Sequence, residues 1–220
     1  MKSIGKIRNT ESLTDKAYSH IKTALNRGAF NPGQRLTSRE VAAALGVSIT
    51  PAREALGKLV AEGTLELQGP RTITVPKLSR KRFDEILETR LSLEPKAAKI
   101  AAKKSTPALI RKLESIQERF EAARATKDFG FALELNSQFH KTLYEQAGNG
   151  VMTSVIESLW MMIGPSLNLL YPIYSTDDTG ITPHRQLLAA LKAGDVDAVR
   201  QAIVEDLTIG ASKMRTLLVE

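Results

Sequence analysis

Only three histidines and no cysteine occur in the 220 residues of this chain, so the side chains able to do chemistry are few and their spacing is informative. Without cysteine there are no disulfides and no thiolate metal sites, which leaves His, Asp, Glu and Asn as the only metal-ligating candidates. Asn136 and His140 stand four residues apart in a helical stretch and so share one face of it. His184 falls in the first turn of a later helix, and Asp206 near the middle of the last one. Three helices can bring these four side chains to one point, where they either line a polar pocket or ligate a cation. Arg90, on the inner side of another helix of the same region, can clamp a carboxylate bidentately or pair with Glu94 one turn on, and the ion pair is its expected role. Arg185, next to His184, is a second candidate for a carboxylate. No nucleophile motif, glycine-rich phosphate loop or HExxH pattern accompanies these residues.

A second chemistry lies in Thr37 to Gly69, TSREVAAALGVSITPAREALGKLVAEGTLELQG. Thr37 and Glu40 have the spacing of a capping box, in which hydroxyl and carboxylate each satisfy a free backbone N–H, so a helix should start at Ser38. It should end near Leu45, where Gly46 can take the left-handed conformation. Ser48 and Thr50 then offer two possible N-caps, and Pro51 a proline at the first helical position. In the helix that follows, Ala52, Ala55, Leu56, Leu59 and Val60 fall on one face. Ser48, Ile49, Thr50, Arg53 and Gly57 are left at the opposite face or the N-terminal end. Leu65 and Leu67 alternate with polar residues, Gln68-Gly69-Pro70-Arg71 supplies a turn, and Thr72-Ile73-Thr74-Val75 alternates again, so a β-hairpin closes the unit. This is the pattern of a winged helix-turn-helix. A DNA major groove admits one α-helix, whose free N–H groups meet phosphate and whose first-turn side chains reach base edges. Two ordinary surface helices would not need the hairpin.

Charge separates along the chain. Residues 1–80 carry 13 Lys+Arg and 6 Asp+Glu, and residues 81–220 carry 18 of each, so the whole excess of +7 lies in the first third. A basic small domain joined to a neutral one is what phosphate binding with a separate sensing function requires. No window is long and apolar enough to span a membrane, and MKSIGKIRNT lacks an apolar signal core, so a cytoplasmic protein without a membrane partner is expected. Residues 1–11 read as a loose tail in which Lys2, Lys6 and Arg8 can add phosphate contacts. Leu13, Ala17, Ile21 and Leu25 recur every four residues up to Gly28 and give a supporting helix, with Asn31-Pro32-Gly33 as its turn. Pro76-Lys77-Leu78-Ser79 reads as a linker, which divides the chain into 1–78 and 79–220. From Arg80 the periodicity is helical. Phe83, Ile86, Leu87 and Leu91 form a stripe, and Pro95 should kink or divide this element before Ala97 to Ala102 continue it. Further helices are expected from Thr106-Pro107 to about Thr126, from Asp128 to Gln146, and from about Asn149 to Leu170 with a bend at Pro165. After a loop over Pro172 to Gly180, two more run from Thr182-Pro183 to Gly194 and from Asp195 to about Leu218. The fold class is therefore mainly α: a winged helix-turn-helix domain, then an antiparallel bundle of six or seven helices.

PG-x-x-L at Pro32 to Leu36, LGVS at Leu45 to Ser48, TP-x-REAL at Thr50 to Leu56 and L-x-x-EG at Leu59 to Gly63 resemble the N-terminal domain of GntR-type transcription regulators. R-L-x-L-E at Arg90 to Glu94 and F-H at Phe139 and His140 resemble the all-helical FCD effector domain of the FadR-type subfamily, so the resemblance covers nearly the whole chain. It implies a DNA-binding face made of Arg35, Arg39, Ser48, Ile49, Thr50 and Arg53, with Gly69 and Arg71 in the wing. Many relatives carry Arg where this chain has Ile49. One familiar guanine contact is then missing, Ile49 can instead touch a thymine methyl, and the preferred operator should differ from the family's usual one.

In the FCD family an Asp and a His four apart, a His at the start of a later helix and a His in the last helix hold a divalent metal beside the effector. Here Asn136 stands in place of the Asp and Asp206 in place of the last His, so formal ligand charge is conserved within a set of N and O donors. The resemblance thus implies a Zn²⁺, Ni²⁺ or Mn²⁺ ion on Asn136, His140, His184 and Asp206, with binding that weakens as the histidines protonate near pH 6. It also implies a small carboxylate effector, for which Arg90 and Arg185 are the candidates. The resulting reading is a metabolite-responsive transcription regulator, a homodimer that sets two recognition helices on half-sites of a palindromic double-stranded DNA operator. The alternative is a metal-dependent enzyme acting on a small carboxylate, through an open metal position beside His140. An unspecific nucleoid protein would leave the long neutral bundle without a task.

Overall fold

The structure, a computed structural model, describes residues 12–69, 72–170 and 181–218. The expected roles of Lys2, Lys6, Arg8 and Arg71, and the loop over 172–180, lie outside these residues. Among the described residues are nine α-helices, one 3-10 turn and a three-stranded antiparallel sheet. None of the helices is long and apolar enough to cross a membrane.

The N-terminal unit begins with α1 (Leu13–Asn26), started by a capping box between Ser12 and Asp15. α2 (Ser38–Leu45) starts with the Thr37–Glu40 capping box and ends at Gly46, whose φ of 65° is left-handed. α3 (Ile49–Ala61) begins two residues earlier than the proline position indicated, with Ser48 at the N-cap and Pro51 at the third helical position. The missing N–H costs nothing there either, since the first four N–H groups of a helix lack intrahelical partners. Ala52, Ala55, Leu56 and Leu59 are fully buried against α1 and α2.

Three short strands complete the unit: β1 (Arg35–Leu36), β2 (Glu66–Gln68) and β3 (Thr72–Thr74), in the order β1-β3-β2. Ile73 is opposite Leu67 on one side and Leu36 on the other. The expected alternation of Leu65 with Leu67 is not realised: Leu65 is buried while Leu67 is 55% exposed. The N–H groups of Thr64 and Leu65 both donate to the Leu59 carbonyl, so Leu65 belongs to the turn out of α3 and the strand starts after it. β1 was not legible, because two residues carry no periodicity.

Among the described residues the second unit holds six helices: α4 (Arg80–Lys103), α5 (Pro107–Ala125), α6 (Phe129–Glu145), α7 (Gly150–Leu167), α8 (Thr182–Ala193) and α9 (Val196–Leu217), with a 3-10 turn at Asn168–Leu170 after α7. Ser79, Thr106, Asp128, Asn149 and Asp195 each accept a backbone N–H at a helix start. Pro95 does not divide α4, which is continuous around it. A proline costs a helix one backbone hydrogen bond, and burial of Pro95, Ala97, Ala98 and Ala101 in the packing of α4 with α7 and α9 outweighs that loss. Membership of the two hydrophobic cores changes between Val75 and Leu78.

The two units touch along α1. It lies against α6 and α7, and Met161 of α7, 2% exposed, is packed into the core of the N-terminal unit. The Asn168 amide donates to the Gly28 carbonyl at 2.5 Å. Gly28 has φ of 67°, and a Cβ there would fall 1.6 Å from Asn168 Oδ1. Gly28→Ala should therefore destabilise the protein by about 2 kcal/mol, roughly half from the left-handed backbone and half from the displaced hydrogen bond. Urea denaturation beside Asn168→Ala checks this. Wild-type stability in Gly28→Ala would mean that this contact does not form.

Candidate functional site

At the tip of the N-terminal unit, Arg35, Arg39, Ser48, Ile49, Thr50, Arg53 and Gly69 are all exposed, Ile49 at 49%. α3 differs from α2 in having no side-chain cap at its start, so its first N–H groups face solvent without a built-in acceptor. None of Arg35, Arg39 and Arg53 is ion-paired with a described residue. Lys58, further along α3, is instead held by Asp15 at 2.7 Å, and Glu54 accepts from Thr14. Unmatched positive charge is thus present at the exposed end, where the helix dipole adds to it.

The second site lies inside the bundle. His140 of α6 and His184 of α8 are each 1% exposed, with their Nε2 atoms 3.1 Å apart. The Asp206 carboxylate of α9 reaches to 3.2 Å from His140 Nε2 and 4.0 Å from His184 Nε2. The hydrogen-bond network assigns the ring protons. Gln117 donates its amide to Glu121, so its Oε1, 2.7 Å from His184 Nδ1, is an acceptor and the hydrogen lies on Nδ1. The Tyr144 hydroxyl donates to Glu94 at 2.7 Å, so it accepts from His140 Nδ1 at 3.2 Å. Both Nε2 atoms consequently aim lone pairs at each other and at a carboxylate, an arrangement that repels unless a proton or a cation sits between them.

Protonation states agree with that geometry. Burial pushes His184 down to about 3, and the neighbouring His140 adds to the fall against the pull of Asp206. Burial raises Asp206, but the adjoining His140 ring, with His184 and Arg90 beyond it, outweighs that and holds the carboxyl below its usual range. His184 is neutral and Asp206 ionised at neutral pH, the forms a metal ligand needs. The expected loss of metal near pH 6 therefore has no source in His184. The three donor atoms lie within 4.8 Å of one another. Ligands at ~2.1 Å from one tetrahedral ion would stand about 3.4 Å apart, so the donor set fits a dication. Asn136, one turn before His140, lines the same cavity as Asp206.

That cavity, ≈ 90 Å³, opens beside the cluster, and its polar wall is Arg90, Arg124, Asn136 and Asp206. Arg90 gives Nε to Glu94 at 2.6 Å and stacks over Trp160 at 4.5 Å. Arg185 is not brought to the cavity: its side chain is 63% exposed and forks onto Glu121. Sequence reasoning missed Arg124, Gln117, Tyr144 and Trp160. Tyr144 alone had a signal, four residues after His140 and so on its helix face.

Compared with known proteins, residues 13–75 match the bacterial regulatory proteins of the gntR family and residues 85–208 match the FCD domain. The HTH-type transcriptional regulator McbR of Escherichia coli K12 is 33% identical over 207 residues, 93% of each chain. The chain belongs to the GntR family. A solved structure of E. coli McbR/YncC superposes with a TM-score of 0.88 at 31% identity, covering 94% of this chain and 98% of that one. The putative L-lactate dehydrogenase operon regulatory protein of E. coli K12 is 26% identical over 232 residues, 92% of this chain and 86% of its own. As a GntR-type regulator with an FCD domain, the protein carries its helix-turn-helix in α2 and α3, its wing in β2 and β3, and the histidine cluster inside the FCD domain.

One consequence is a pH dependence. His184 has a folded value of about 3 against an ordinary value of 6.5, so between these the unfolded chain binds the extra proton. Stability is full above pH 6.5 and falls as pH drops toward 3, by up to about 1.4 kcal/mol per pH unit from this group. Urea unfolding of metal-stripped protein from pH 7 to 4, followed by Trp160 fluorescence, should give a steeper pH slope for wild type than for His184→Gln. Equal slopes would mean that burial does not hold His184 neutral.

Proposed function

We propose that this regulator binds a palindromic operator as a homodimer and that a small carboxylate in the FCD cavity, beside a divalent metal, controls its affinity for DNA. The observation that carries the reading is the pair of bare imidazole nitrogens facing Asp206 at the edge of an arginine-lined cavity. Asn136, His140, His184 and Asp206 would hold the ion, and Zn²⁺, Ni²⁺ or Mn²⁺ suits two imidazoles with two oxygens. When bound, the metal supplies a dication's attraction for a carboxylate oxygen. Gln117 and Tyr144 fix the ring tautomers, as outer partners of metal-bound histidines do. Arg90 is already matched by Glu94, so its part is to keep Trp160 in place and to add a partly neutralised positive edge. Arg185 has no place in this reading.

On the DNA side, Arg53 and Thr50 at the open start of α3 would meet base edges, while Arg35, Arg39 and the helix N–H groups would meet phosphates. Gly69 lets the wing's turn approach the backbone closely, since its φ is 74°. Ile49 is an apolar contact for a thymine methyl. A role at an operator places the protein in the cytoplasm. The putative regulator of an L-lactate dehydrogenase operon among the relatives is in keeping with a carboxylate signal.

Two outcomes test this. Arg53→Ala should weaken operator binding by about 1–3 kcal/mol, with Lys58→Ala as a control that changes little, and unchanged affinity in Arg53→Ala would remove that residue from the interface. Metal-stripped wild type should take up one divalent ion per chain by elemental analysis and calorimetry, while His140→Ala and Asp206→Ala lose it. If stripped wild type binds no ion at neutral pH, the cluster is a metal-free effector site.

A further inference from the structure

Resting on the reading of the cavity as the effector site, we propose a narrower ligand class: a monocarboxylic acid of about four to seven carbons in all, its body apolar, in preference to a hydroxylated acid or a polycarboxylate. The polar groups gather at one end. Asp206 belongs to the histidine cluster itself, and Asn136 stands one turn before His140 on α6. Arg90 stacks on Trp160, whose ring is 5.0 Å from His140, and Arg124 stacks on Phe120, whose ring is 5.5 Å from His184. The rest of the lining, among the described residues, is Phe120, Leu133, Trp160, Leu167, Leu170 and Leu207, with Gly210. No hydroxyl-bearing side chain occurs among them.

Such a wall rewards methylenes and penalises hydroxyls. Each CH₂ removed from water gains about fourfold in affinity, whereas a hydroxyl stripped of water and given no partner loses roughly tenfold or more. A second or third carboxylate meets a cavity in which Arg90 is already neutralised by Glu94. Size sets the limit. A water molecule needs about 10–15 Å³ of this kind of space, so ≈ 90 Å³ holds roughly six to nine water-sized groups, the heavy-atom count of butyrate to heptanoate. Gly210 lies one turn after Asp206 on α9 and lines the same cavity, so a side chain there takes space from the ligand.

The experiment is calorimetric titration of the full-length protein as purified with acetate, butyrate, hexanoate, benzoate, gluconate and citrate. Affinity should rise about fourfold per methylene from acetate and level off near hexanoate, with benzoate in the same range and gluconate and citrate no tighter than acetate. Gly210→Val should move the levelling point back to about butyrate, and the wild-type series decides the matter alone if that variant does not fold. Carboxylates that bind with no chain-length gain, or gluconate or citrate binding tighter than hexanoate, would overturn this ligand class and leave the effector site standing. No binding by any of the acids would overturn both.

Discussion

Glu94 has none of its surface exposed, and a buried carboxylate is tolerated only when its oxygens are met by donors. Here they are met by Nε and Nη2 of Arg90 on the same helix, by the Tyr144 hydroxyl of α6 and by the Trp160 indole N–H of α7. One charge therefore ties α4, α6 and α7 together. It also fixes chemistry at a distance: by taking the Tyr144 hydrogen, Glu94 leaves that oxygen to accept from His140 and so turns the lone pair of His140 Nε2 toward Asp206. A hydrophobic residue at position 94 could fill the same space, yet it would leave the proton position on His140 undetermined. The carboxylate thus organises the bundle through specificity more than through net stability.

The same three-helix junction connects the cavity to the DNA-binding unit. Trp160 faces the cavity and the Arg90–Glu94 pair, and Met161, about 100° further round α7, is packed into the core of the winged unit. A helix backbone is stiff over one residue, so any shift of α7 at Trp160 is a shift at Met161 as well. The seam around Met161 is not filled to the density of either core. A second cavity of ≈ 70 Å³ lies there, bounded by Lys22 and Asn26 of α1 and by Trp160 and Met161 of α7. Space of that kind lets α1 move relative to α7 without breaking a packed layer.

Legibility in the sequence followed the range of the interactions. Helix starts at Thr37, Ser79, Thr106, Asp128, Asn149 and Asp195 were readable because a cap acts within four residues, and so was the bundle's helix count. The two-residue strand β1 was not, since its partner Thr74 is 39 residues away in sequence and nothing local marks it. Pro95 was misjudged as a possible break because helix propensity is local and the packing that overrides it is not. At the site, His140, His184 and Asp206 do converge as their helical phases allowed. Gln117 and Trp160 escaped notice because their roles exist only once α5 and α7 are packed against the histidine-bearing helices. Arg185 stood next to His184 in sequence and still points elsewhere, as adjacent residues on a helix do.

The pairing of charges separates the two tasks of the molecule. In the bundle and at the seam, several cations are matched: Lys22 and Lys141 with Glu157, Arg27 with Glu134, Arg185 with Glu121, Lys192 with Glu114 and Arg215 with Asp84. Arg35, Arg39 and Arg53, left unmatched at the tip, are where the +7 excess of the chain becomes available to phosphate. The exposed pairs across the seam are worth little, about 0–1 kcal/mol each, so the units are held chiefly by Met161 and by the close approach of Gly28 to Asn168.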